Sequence, residues 1–365
     1  MYLTISLTRP FRLFTAALCA AVCLLSNPVL AQSDAGALDA VTHRFFSESE
    51  MPGLSVSVAE GGTLIFSRGY GYADLEQHVR VLPGESRFRI GSVSKTMTAL
   101  AVGKLVQAGK LDLDAPVQRY VPSFPEKKWP ITTRMVAGHV AGVRHYSGDE
   151  FLSQRRYESV LEGLTIFEND TLVFEPGTRY SYSSYGWNLV SAVVEGASGI
   201  DFLTYMQDSV FVPAGMIRTV ADHTGEIVEY RTRFYERNAL GQIVPAPYVD
   251  NSYKWAGGGF LSTTEDLIRF GQAHLDGILD EATIEILWTP QNLIDGSSTN
   301  YAIGWSSGTD NNGRFWVGHN GGSVGGTTRF RIYPQQEIIV AAVTNLSTAS
   351  FGSLVEDLVE ALSRQ

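Results

Sequence analysis

Near the start of the chain two stretches read as strands, Gly53 to Ala59, in which apolar and polar side chains alternate, and Thr63 to Gly71. Glu60-Gly61-Gly62 between them supplies the turn of an antiparallel hairpin, and residues 36 to 48 just before it carry the pattern of an amphipathic helix. From Ser92 to about residue 290 the period lengthens and the pattern is mostly helical, most clearly at Trp187 to Ala197 and Thr264 to Leu275. Ser262 followed three residues later by Glu265 reads as a capping box for the latter helix. Strand patterning returns at Arg314 to Gly318, Thr327 to Tyr333 and Glu337 to Asn345. Phe351 to Ser363 then aligns Leu354, Val355, Leu358 and Leu362 on one face of a closing helix.

Strands at both ends with helices between them predict a mixed α/β (α+β) domain. The termini share an antiparallel sheet flanked by the first and last helices, a mainly helical subdomain packs beside it, and a cleft runs along the junction. The expected division is a sheet part at 32–90 and 300–365 and a mainly helical part at 91–299. Residues 1–31 are set apart from both: they hold no acid and two bases, Arg9 and Arg12, followed by the apolar run Leu13 to Leu25 and the small-residue ending Val29-Leu30-Ala31. That layout predicts a signal peptide cleaved after Ala31, because the apolar core is shorter than the roughly 20 residues a spanning helix needs. The expectation is therefore a periplasmic or secreted bacterial protein with no stable membrane anchor after cleavage.

Composition narrows the chemistry. The 365 residues are 44% hydrophobic and 18% charged, enough for a large core, and 28 Lys and Arg against 38 Asp and Glu leave a net charge of -10. A field of that sign repels nucleic acid, so no nucleic-acid partner is expected. The two cysteines, Cys19 and Cys23, both lie in the leader. A mature chain without cysteine has no thiol nucleophile, zinc-thiolate site or disulfide. No paired-histidine metal motif occurs, and neither a metal nor a cofactor is expected.

Three short motifs carry candidate chemistry. Gly91-Ser92-Val93-Ser94-Lys95 opens a helix with Val93, Met97, Leu100, Ala101 and Leu105 at helical spacing, which places Ser92 and Lys95 on one face. A serine at a helix start can offer its own backbone N–H to an oxyanion, and a lysine one turn on can accept the hydroxyl proton if burial lowers its pKa from about 10.4. Of six lysines only Lys95 has a serine three residues earlier. The second motif, Tyr182-Ser183-Ser184, follows the turn Glu175-Pro176-Gly177 and precedes a helix, and a tyrosine hydroxyl beside a cation can relay a proton to a leaving group. In the third, His319-Asn320-Gly321-Gly322 ends a strand, where the glycines let a substrate lie along the edge and Gly322 can give a second oxyanion N–H. His223-Thr224-Gly225 has the same H-x-G form but lies in the helical middle beside Asp222 and Glu226. Gly321-Gly322-Ser323-Val324-Gly325 matches a nucleophile elbow, yet that mechanism needs a later histidine, and His319 is the last of seven.

In this order the three motifs resemble those of the serine β-lactamases and penicillin-binding proteins, in the class C and esterase branch. Met51-Pro52-Gly53-Leu54, Gly142 to Tyr146, Phe174 to Gly177 and the long block Pro247 to Thr263 are similar to the mitochondrial serine β-lactamase-like members, presumed proteases. The resemblance implies a β-lactamase/transpeptidase-like fold and an acyl-enzyme hydrolase. Ser92 would be nucleophile, Lys95 base, Tyr182 proton relay, and the N–H groups of Ser92 and Gly322 the oxyanion hole. Ser184, His319, Asn320 and Gly321 would contribute to substrate binding. His319 stands where lactamases generally place lysine, and Ser184 where an asparagine is usual, so a permanent cation and an amide donor are both replaced.

The expected function is hydrolysis of a peptide, amide or ester bond. A true β-lactamase or D-alanyl carboxypeptidase is the alternative within that class, and a non-catalytic peptidoglycan-binding or polymer-forming module is the alternative outside it. If a cationic His319 held an acidic substrate, binding would weaken as pH rises past its pKa; a flat profile between pH 5 and 8 would mark it as neutral. His139, His145, Tyr253 and Trp255 are expected to pack or fix loops, with Tyr253 and Trp255 also candidates to line the cleft.

Overall fold

The computed structural model describes residues 28–363. The leader up to Asn27, with Cys19 and Cys23, lies outside the described residues; Pro28 already belongs to the first helix, Pro28–Ser49, which is longer than its pattern suggests.

A seven-stranded antiparallel sheet forms the frame. From one edge to the other its strands are Val79–Arg80, Thr63–Asp74, Gly53–Glu60, Ile338–Thr344, Gly326–Tyr333, Phe315–Ser323 and Ser306–Thr309. The two chain ends meet at its centre, where Leu54 pairs with Thr344 and Glu60 with Ile338. Alternation along these strands assigns each face its neighbour. Val340 and Ala342, with Leu54, Val56 and Val58, pack against Leu38 of the first helix and Leu354, Val355 and Leu358 of the last helix, Leu354–Ser363. Phe45 and Phe351 stack where the chain ends meet, with ring centroids 6.2 Å apart.

Ile339 and Ala341 point to the opposite face, into the larger core built by the middle of the chain. The buried Ser55 and Ser57 point away from the terminal helices, and each side chain lies 2.8 Å from Thr264 Oγ1 at the start of helix Thr264–Leu275. The polar positions of this strand are thus interior hydrogen-bonding sites rather than a wet face. Helix Ser94–Gln107 runs through the larger core with eleven buried residues, including Lys95, and has no broad polar face. A lysine on such a helix cannot reach bulk water.

Several expected elements differ. The middle is less helical than its pattern, since loops and the short strands Phe88–Arg89, Val220–Ala221, Tyr235–Arg237, Ile243–Pro245 and Phe260–Ser262 interrupt it. Ser262 ends one of these strands, and the cap of helix Thr264–Leu275 is Thr263, whose hydroxyl accepts from Asp266 N–H at 3.1 Å. The strand expected at Arg314–Gly318 continues through the glycines to Ser323, because Gly318 and Gly321 leave room for neighbouring backbone and the glycines do not end the ladder. The edge strand Ser306–Thr309 carries no apolar alternation, and its sequence gave no signal. Among the described residues no single helix is long and apolar enough to cross a membrane.

Candidate active site

Ser92 sits in a 3₁₀ turn, Gly91–Val93, that leads into helix Ser94–Gln107. Gly91 has φ +51°, and a Cβ there would lie 2.5 Å from Gly322 O and 2.7 Å from Gly322 N. Glycine is required on both counts, and its absence of side chain lets the turn touch strand Phe315–Ser323. Gly321 has the same purpose one residue earlier, since a Cβ there would fall 1.9 Å from Ile90 O. The backbones that carry Ser92 and Gly322 are thereby pressed together.

Lys95 Nζ lies 3.1 Å from Ser92 Oγ, 2.5 Å from the carbonyl oxygen of Gly257 and 3.4 Å from Ser184 Oγ. Burial drives its pKa well below the ordinary lysine value, and the nearby charge of Lys254 adds to this. The neutral amine has two N–H groups for Gly257 and Ser184 and one lone pair, which is left to receive the Ser92 proton. Tyr182 Oη donates to Ser92 Oγ at 2.7 Å. Burial pushes the Tyr182 phenol upward, so it keeps its proton at neutral pH and can donate but not serve as the resting base. Opposite shifts in two groups on one oxygen separate the acceptor from the donor.

Two histidines hold the Tyr182 segment. His139 Nδ1 accepts the N–H of Ser183 and His145 Nδ1 that of Ser184, each at 3.1 Å. Ser183 Oγ caps helix Ser184–Ser198 by accepting from Gly186 N–H at 3.0 Å. His139 takes a left-handed φ of +63°, which few residues other than glycine adopt, with its ring 4.3 Å from that of Tyr182.

These groups open into a cavity of about 570 Å³ whose lining includes Ser92, Tyr182, Ser184, His145, Lys254 and Gly322. Residues 38–362 match the Beta-lactamase family.

The chain belongs to the beta-lactamase family.

It is 32% identical to the human mitochondrial serine beta-lactamase-like protein LACTB over 85% of this chain and 76% of that protein. It is 29% identical to penicillin-binding protein 4* of Bacillus subtilis, over 75% of this chain and 64% of that protein. The octameric penicillin-binding protein homologue of Pyrococcus abyssi superimposes with a TM-score of 0.75 at 26% identity, covering 90% of this chain and 77% of that one. The fold is the β-lactamase/transpeptidase type, and the protein is a beta-lactamase-family serine hydrolase.

Within this beta-lactamase-family site the strand motif behaves differently from its sequence reading. His319 is buried, and its Nδ1 lies 2.6 Å from the carbonyl oxygen of Asn320, which can only accept; Nδ1 therefore carries the hydrogen. Nε2, 2.9 Å from Tyr301 Oη, then accepts from that phenol. Burial pushes His319 down to about 3, so it is neutral and both nitrogens are spent inside the protein. Asn320 Oδ1 accepts from Arg331 at 3.0 Å. Of His319, Asn320, Gly321 and Gly322, the cavity lining includes Gly322 alone.

Tyr253 and Trp255 are buried and do not line the cavity, whereas Lys254 between them does. Lys254 has its ammonium 4.2 Å from the Phe151 ring, and burial, with Arg89 second, lowers it to about 7. Sequence reasoning passed over this residue, although a lone lysine between two large aromatic residues was a usable signal. It also passed over Arg89, whose buried pair with Asp222 (2.7 Å) and bond to Val324 O (2.9 Å) tie the turn after Gly322 to the rest of the site.

Proposed function

We propose that the protein hydrolyses a peptide, amide or ester bond through an acyl-enzyme on Ser92. The contact that carries this reading is Ser92 Oγ held at once by the buried Lys95 amine (3.1 Å) and the Tyr182 hydroxyl (2.7 Å) on the wall of the cavity. Lys95 takes the hydroxyl proton as Ser92 Oγ attacks the substrate carbonyl, and the N–H groups of Ser92 and Gly322 receive the negative oxygen. As the tetrahedral adduct collapses, Tyr182 donates to the leaving group and is reprotonated from Lys95. Water then adds to the ester, giving up a proton along the same path, and the acid departs with Ser92 restored.

The neutral, internally bonded His319 offers no cation to an antibiotic carboxylate, so turnover of penicillins is expected to be poor beside that of esters and amides. The leader composition supports export with cleavage after Ala31 into the periplasm or medium, with a peptide or ester as the partner molecule. Ser92→Ala is expected to abolish hydrolysis of a chromogenic ester and labelling by a fluorophosphonate, read by mass spectrometry. Retained turnover, or a label on another residue, would remove Ser92 from the role.

A further inference from the structure

Arg89 stands three residues before Ser92, at the end of strand Phe88–Arg89, and its side chain reaches across to the strand wall of the cleft. Nη1 donates to the carbonyl oxygen of Val324 at 2.9 Å, in the tight turn that joins strands Phe315–Ser323 and Gly326–Tyr333 just beyond Gly322. The N–H on the other side of the same peptide unit, that of Gly325, donates to Ser347 Oγ at 2.7 Å. The Val324–Gly325 peptide is therefore held at both ends. Arg89 also meets this turn through its backbone, since a Cβ on Gly326 would lie 2.3 Å from Arg89 O.

Arg89 is itself fixed from two directions. Its Nε donates to Asp222 Oδ2 at 2.7 Å, and its guanidinium carbon lies 3.8 Å from the centre of the Phe234 ring. Asp222 Oδ2 accepts in addition from Asn251 Nδ2 at 2.8 Å, and Asn251 opens the segment that runs through Lys254 to Gly257, whose carbonyl oxygen holds Lys95. One ion pair thus joins the residue leading to the nucleophile, the turn beyond the oxyanion N–H and the segment that orients the base.

Both side chains of the pair are buried. The desolvation of two ions offsets most of their attraction, so an apolar pair of similar volume would serve the fold about as well. Direction is what such a pair could not supply. A guanidinium presents its N–H groups at fixed angles, and this one spends two of them on a carboxylate and on the turn that follows Gly322. An oxyanion donor is effective only when it is in place before charge develops.

We propose that the Arg89–Asp222 pair positions the oxyanion hole: by holding the Val324–Gly325 peptide it keeps the Gly322 N–H in register with the seryl turn. The proposal rests on Ser92 being the nucleophile. Arg89 does not line the cavity, so it is a positioning residue that acts through the turn.

The test compares p-nitrophenyl acetate with its thiono analogue, in which sulfur replaces the carbonyl oxygen, each rate divided by its uncatalysed hydrolysis. Sulfur is larger and a poorer acceptor, so a hole shaped for oxygen is expected to favour the oxygen ester by about tenfold or more in kcat/KM. Arg89→Lys keeps a charge for Asp222 but leaves Val324 O without its donor, because a single ammonium cannot stand at both nitrogen positions. It is expected to lower kcat on the oxygen ester by about tenfold, to keep KM within about threefold, and to lose most of the preference for oxygen. Arg89→Met combined with Asp222→Leu removes both charges together and is expected to give the same losses in a folded protein.

A preference that stays at the wild-type value overturns the proposal, whether both rates fall together, as general damage to the site would make them, or neither falls. A loss confined to KM overturns it as well. If Arg89→Lys does not fold, the paired variant decides by the same ratio. Fluorophosphonate labelling of wild-type Ser92 keeps these outcomes apart from a failure of the acyl-enzyme reading itself, in which the wild-type protein would carry no label.

Discussion

The two walls of the cleft work by different means. On the helical side the reacting groups are side chains, Ser92, Lys95 and Tyr182, bonded to one another and with pKa values displaced in opposite directions. On the strand side the two polar side chains of the histidine motif are turned inward, His319 onto Tyr301 and the Asn320 carbonyl, Asn320 onto Arg331, and Gly322 presents backbone to the cavity. Proton transfer needs groups that change charge, whereas stabilising an oxyanion needs dipoles that do not move. The difference in composition between the walls follows from that division.

The sharpest way to break the comparison is at Lys95. Lys95→Met is expected to lower kcat by about 10⁴-fold or more, as Ser92→Ala does, and the double variant is expected to be no worse, because residues acting as a unit are not additive. A double variant clearly slower than either single one would show that the pair does not act together.

Next is the contact between the walls. Gly91→Ala forces a Cβ to within 2.5 Å of Gly322 O at a positive φ, and parting these backbones is expected to cost about 10²- to 10³-fold in kcat, the usual effect of losing one oxyanion donor. Single-turnover acylation rates measure it directly, and a fall confined to KM would contradict the assignment.

The smallest expected effect concerns pH. Activity needs neutral Lys95, so it is lost as pH falls through that depressed pKa and the amine gains a proton, and it rises toward alkaline pH. His319, held near 3, does not change charge between pH 5 and 8. His319→Gln is therefore expected to scale the kcat/KM profile without moving its inflections, and a lost or shifted limb in that range would mean that His319 titrates during binding.

What the sequence disclosed follows the same division. Ser92 and Lys95 were legible because residue type and spacing define the pair, and burial on every side of helix Ser94–Gln107 only completes it. The shared sheet was legible from Ile338–Thr344, whose unbroken apolar run suits a strand covered on both faces. The state of His319 was not, because a histidine's charge is decided by what surrounds it, and Tyr301 is far from any motif. Lys254 escaped for a related reason: its burial depends on Phe151 and Tyr146, more than a hundred positions earlier. Ser55 and Ser57 read as water-facing until Thr264 is placed against them.

The sheet's middle strand, Ile338–Thr344, is also the last strand to leave the ribosome. The seryl turn near residue 91 is synthesised early, but the partner backbone around residue 322 and the strand that locks both halves follow it only after the whole helical middle has been made. Long-range closure of this kind is slow, and it leaves the nascent chain open until that strand has emerged. A fragment ending before residue 338 would keep its serine and lysine yet lack the keystone that sets them, so nonsense or proteolytic products of that length are expected to be inert.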